Sequence, residues 1–154
     1  MVFVKGASYA QIVLGDFRET FLCYHAFWRR GDYERQWRNG LRKICGHDRT
    51  SALVTVMYPP SKGGCFIWWP MYKQGREVLF QNHLMQFDKL DSPFDPRNPY
   101  PHIPEFKEEN EAGQKISTWS VPLDEIKHFY RRMQSQQQTD RRDAPRRPFP
   151  PRRR

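Results

Sequence analysis

The stretch FIWWPMYKQGREVLFQN, residues 66–82, limits what this chain can fold into more than any other segment. Side chains alternate along a strand, so Phe66, Trp68 and Tyr72 point to one face while Ile67, Trp69 and Met71 point to the other. A strand that is apolar on both faces belongs in the middle of a sheet, with material packed above and below it. Pro70 has no N–H to give to a ladder and predicts a break in pairing near the end of that strand. Lys73-Gln74-Gly75-Arg76 reads as a hairpin turn, and EVLFQNHLMQF returns as the partner strand. Two-sided burial in a central hairpin explains the adjacent tryptophans most economically; the competing reading leaves one of them outside as a binding hot spot.

The rest of the chain builds around this hairpin. Residues 11–14 and 19–28, rich in β-branched and aromatic side chains and separated by GDFR, predict a strand, a turn and a strand. Asp32 is placed to cap a helix in which Tyr33, Trp37, Leu41 and Ile44 recur at helical spacing, with Gly46 as its stop. Trp37, Leu41 and Ile44 should face inward, and Arg35, Arg38, Arg42 and Lys43 outward. SALVTVMY, residues 51–58, predicts another strand, closed by Pro59 and Pro60. Residues 88–113 then break into a long Pro-, Asp- and Glu-rich loop studded with Phe94, Tyr100, Ile103 and Phe106. A loop of this length in a compact domain is often functional, and its spaced aromatics predict anchoring to the domain. KISTWSV supplies a last strand. PLDEIKHFYRRMQSQQQ supplies a closing helix with Leu123, Ile126, Phe129, Tyr130 and Met133 as its inward stripe. The expected fold is therefore α+β: a mostly antiparallel sheet of about six strands with two helices packed on it, forming a single domain over residues 1–138. Residues 139–154, rich in Arg and Pro, predict a disordered tail.

That tail carries seven Arg against two Asp and so accounts for five of the nine net positive charges. The informative charge lies elsewhere. Residues 86–113 hold Asp88, Asp91, Asp95, Glu105, Glu108, Glu109 and Glu111 against only Lys89, Arg97 and Lys107, a negative patch on a positive chain. Cys23, Cys45 and Cys65 lack a CxxC spacing and read as buried free thiols; neither they nor the scattered histidines make a metal site. For catalysis, the best material is His83, His102, Asp88 and Asp91. Their spacing does not place a nucleophile beside its base, and DKLDSPFDP is ordinary turn chemistry, so no catalytic residue and no cofactor are expected. No apolar run is long enough for a membrane span and the opening residues do not read as a secretory signal, which predicts a cytoplasmic protein. The alternative function is a nucleic-acid-binding module that uses the basic helix over residues 32–45 and the Arg tail, with an exposed tryptophan stacking on a base.

Several short motifs together resemble a known family: QW (Gln36, Trp37), SALVT (51–55), WWP (68–70), QN followed by Leu84, SPFDP with NPY (92–100), and ISTWSV (116–121). This combination is similar to the bacterial immunity proteins that accompany contact-dependent growth inhibition toxins, over roughly residues 31–129. The resemblance implies a soluble cytoplasmic binder that recognises the cognate toxin's C-terminal domain and blocks its active site or substrate groove. Such a protein requires a preformed surface, complementary charge and a few desolvated anchors. The acidic loop offers all three, with Asp88, Asp91, Asp95, Glu105, Glu108, Glu109 and Glu111 as charges and Phe94, Tyr100 and Phe106 as anchors.

Overall fold

The computed structural model describes residues 2–4, 7–61 and 63–143. Its class is the expected α+β, with the strands divided between two antiparallel sheets. The first sheet has the order β1-β2-β3, with β1 Val2–Val4, β2 Ala7–Leu14 and β3 Phe17–Tyr24. The second runs β4-β5-β6-β8, with β4 Thr50–Met57, β5 Cys65–Gln74, β6 Glu77–Gln81 and β8 Thr118–Pro122, while β7, His83–Gln86, also pairs with β5. The helices are α1, Arg30–Cys45, and α2, Leu123–Asp143.

Strand β5 is central, and both of its tryptophans are fully buried. On one face Phe66 and Trp68 pack with Trp28, Tyr33, Ala52, Val54 and Met57, and Phe87 together with Leu90, Phe94 and Ile103 of the long loop closes over them. On the other face Trp69 and Met71 pack with Ile12 and Leu14 of β2, Leu41 and Ile44 of α1, Val78, Phe80, Val121 and Ile126. The domain thus has two hydrophobic layers, one on each side of a single strand.

The return strand splits at Asn82 into β6 and β7, where one continuous partner was expected. Its register does not change: Met71 faces Phe80, and three residues back along β5 Trp68 faces His83, three residues further along the return. The break falls opposite Trp69 and Pro70, where the proline has no donor to offer. Gly75 turns the hairpin at φ +60°, in the left-handed region open to glycine.

Helix α1 begins two residues before the expected cap. Asp32 lies inside its first turn, and its carboxylate accepts the Arg29 N–H at 2.9 Å. The stripe Tyr33, Leu41 and Ile44 is buried as its spacing predicts, and Gln36 and Gly40 are buried with it. Helix α2 starts one residue after Pro122, which ends β8, and continues past the expected stop to Asp143. Residues 144–154 of the expected disordered tail lie outside the described residues. Leu123, Ile126, Tyr130 and Met133 pack inward, but Phe129, expected in that stripe, is half exposed.

Candidate functional site

The long loop is tied to the domain at three separate places, each through one of the aromatics singled out in the sequence. Phe94 stacks on Phe66, with ring centroids 4.7 Å apart, and lies 4.9 Å from Phe87. The Tyr100 hydroxyl accepts hydrogen bonds from Asn39 Nδ2 at 3.1 Å and Gln36 Nε2 at 3.4 Å, while the Lys43 ammonium sits 4.9 Å from its ring centre. Phe106 meets Tyr72 edge-on at 5.3 Å, and the Tyr72 hydroxyl donates to the Pro104 carbonyl. Burial pushes the Tyr72 phenol up to about 12 and raises that of Tyr100. Both therefore stay neutral donors and acceptors at physiological pH.

The seven carboxylates fall on the outside of this anchored loop. Asp88, Asp91, Asp95, Glu105, Glu108, Glu109 and Glu111 are all exposed. None forms an ion pair among the described residues. The loop's last part is a small finger, in which Glu109 bridges Lys115 and the Ile116 N–H donates to the Glu108 carbonyl. Its base is fixed by Gln81, fully buried, whose side-chain amide donates to the Lys107 carbonyl at 2.8 Å and the Thr118 hydroxyl at 2.9 Å. The site is thus a set of unpaired negative charges on a segment whose backbone is held by buried contacts. The three rings are half-buried and turned to the domain. Their contacts with the domain hold the path of the loop.

The groups considered for catalysis are engaged separately. His83 contacts Gln81 Oε1 at 3.2 Å, and the His102 ring packs 5.5 Å from Phe94. Burial holds the His83 pKa below its ordinary value. In the unfolded chain the ring takes up its proton at higher pH than in the folded one. Its contribution to stability is therefore complete above the ordinary histidine range and declines as pH falls through that range toward the folded pKa. Acidification from neutral pH should lower the thermal midpoint, and His83→Asn should flatten that dependence; equal slopes in the two proteins would contradict this assignment. Cys23, also buried, has its thiol pushed up to about 12, outside nucleophilic use at neutral pH. No group of three or more His, Cys, Asp or Glu side chains among the described residues is disposed to hold a metal ion.

The surface proposed for nucleic acid is altered by the fold. Arg35 pairs with Asp32, Arg42 donates to Asn39, and Lys43 pairs with Asp48, so much of the basic face of α1 is engaged along the helix. Trp68 and Trp69 are unavailable for stacking on a base because both are buried. No helix among the described residues is long and apolar enough to cross a membrane.

Residues 24–129 match the CdiI N-terminal domain family. Over 121 residues, which are 79% of this chain and 83% of the relative, the sequence is 27% identical to the immunity protein CdiI of Enterobacter cloacae subsp. cloacae. The fold matches a chain of the solved CdiA-CT/CdiI toxin and immunity complex from Enterobacter cloacae with a TM-score of 0.75 and 26% identity. That match covers 84% of this chain and 88% of the other.

Proposed function

The chain belongs to the CdiI N-terminal domain family, and from that premise we propose that it is an immunity protein. It binds the C-terminal toxin domain of its own contact-dependent inhibition system in the cytoplasm and blocks the toxin's active site or substrate groove. The observation that carries this reading is the fold match, at a TM-score of 0.75, to a chain from a toxin and immunity complex. Neutralisation by occupancy requires no turnover. Purified protein should leave RNA, DNA, peptides and nucleotides unchanged, and His83→Ala or His102→Ala should leave protection intact. Growth rescue in cells expressing the toxin domain is the direct test, and continued toxicity at saturating levels of the folded protein would reject the function.

Within this reading, Asp88, Asp91, Asp95, Glu105, Glu108, Glu109 and Glu111 form the surface that meets a basic toxin face such as a phosphate-holding groove. Phe94, Tyr100 and Phe106 hold that surface in shape, and whatever part of their rings stays exposed adds contact. Charges already fixed in position accelerate encounter more than they deepen affinity. Replacing Glu105, Glu108, Glu109 and Glu111 by Gln should slow association about tenfold at low salt and flatten its salt dependence, with the unfolding transition unchanged. Unaltered association in that variant, with large losses from neutralising Arg35, Arg38 and Arg42, would move the interface to α1. The last segment is rich in Arg and Pro and lacks core-forming side chains, so removing residues 144–154 should change neither cooperative unfolding nor protection.

A further inference from the structure

We propose that the groove between β2 and α2 is where the toxin is anchored, and that an extended, largely apolar segment of the toxin fills it by pairing with the free edge of β2. This rests on the chain being an immunity protein.

The groove has a volume of about 790 Å³ and is lined on one side by Gln11 to Leu14 of β2 and Gly15 of the turn that follows, and on the other by α2. Four consecutive residues of one strand, whose side chains alternate between faces, line a single cavity when the strand presents its edge to it. That edge is open. β1 pairs only with Ala7, Ser8 and Tyr9 of β2, whereas β3 pairs with β2 along its whole length. From Ala10 to Leu14, no strand among the described residues lies on the outer side, so the N–H and C=O groups of alternate residues, which an antiparallel ladder turns away from β3, have no strand partner there.

The chemistry of the groove selects its occupant. Leu41, Leu53, Phe80 and Val121 line it, and Val13 and Phe129, each 50% exposed, contribute from β2 and α2 respectively. A helix in this space could cover the apolar lining but would leave the strand's polar edge unmatched. An extended segment satisfies both, with its backbone on β2 and alternate side chains directed inward. Asp124 and Glu125 lie near the start of α2 and Arg132 further along it, so the segment would be basic at one end, in keeping with the basic partner that the acidic loop favours. Tight interfaces need desolvated apolar anchors in a pocket, and the loop's three rings are turned to its own domain. The groove provides the missing element.

The test is backbone amide exchange over residues 10–14, free and with a catalytically inactive form of the system's own toxin domain, together with affinity for a Val13→Asp, Phe129→Asp double variant. Alternate amides should slow at least tenfold in the complex, and the double variant should bind at least a hundredfold more weakly while β5 amides keep their protection. A complex whose 10–14 amides exchange at the free rate overturns the groove while leaving the immunity function standing. So does protection already present in the free protein, whether it grows with concentration, as for a second copy, or vanishes on removing residues 144–154. Absence of any complex and of growth rescue overturns both.

Discussion

Trp69→Ala should destabilise the domain by about 3 to 5 kcal/mol, a large part of the total stability of a protein this size. The ring is fully buried, 5.8 Å from Phe17 and 5.1 Å from Trp119, and it joins the first sheet to the second. Trp68→Ala should cost a similar amount by a different route, since its ring packs 4.9 Å from Phe66 under the long loop. Because the two rings occupy opposite faces and belong to different core clusters, the costs should nearly add, and the double variant should not fold. Neither indole N–H has a hydrogen-bond acceptor among the described residues. Phenylalanine in either position removes that uncompensated donor as well as part of the ring, so Trp→Phe should lose much less than the change in size alone suggests. Urea unfolding of the four single variants is the measurement. A loss below about 1 kcal/mol in either alanine variant would show that β5 is not the shared wall of two cores.

Gln36→Leu should cost about 2 to 5 kcal/mol even though it replaces a polar side chain with an apolar one of similar size. Gln36 is 8% exposed and works as a short piece of strand: its Nε2 donates to the Ala52 carbonyl and its Oε1 accepts the Val54 N–H, both at 2.8 Å. Leucine leaves two buried groups of β4 without partners, and the Val54 amide should exchange far faster than in the parent. The neighbouring contacts continue the same pattern. Trp37 Nε1 donates to the Val54 carbonyl, the Met57 N–H donates to the Tyr33 hydroxyl, and the Ser51 hydroxyl donates to the Gly40 carbonyl. At Gly40 a Cβ would collide with the Ala52 carbonyl oxygen, so Gly40→Ala should be destabilising despite alanine's better helix propensity. Unchanged stability in both variants would mean that the helix merely rests against the sheet.

How much of this was legible beforehand depended on whether local periodicity carried the information. The two-sided pattern of residues 66–72 predicted burial on both faces, which the structure shows as two separate core clusters, and Pro70 marked the place where the return strand divides. Trp37 stood in the predicted inward stripe, but Gln36 and Gly40 did not, although a glutamine beside that stripe and a glycine in mid-helix were both signals of close approach to a strand edge. The acidic loop was recognisable by composition. Its path was not, because contacts such as Tyr100 with Asn39 and Tyr72 with Pro104 join residues 61 and 32 positions apart in a segment without period. The β2–α2 groove was out of reach for the same reason: its walls come from opposite ends of the chain, and Phe129 fits the helical stripe yet faces the opening.

The side-chain seal along β4 also bears on the order in which the protein assembles. Only residues 46–49 separate α1 from β4, so closing this unit restricts little chain and can occur early. During synthesis both elements emerge before β5 does. With one flank already matched to Tyr33, Gln36 and Trp37, β4 offers the next strand a single docking side. Sliding β4 by one residue would aim its donors and acceptors away from the glutamine, so α1 acts as a gauge of alignment before the rest of the sheet exists. Misaligned and intermolecular pairing are thereby disfavoured from the outset, and the helix contributes to folding fidelity as well as to native stability.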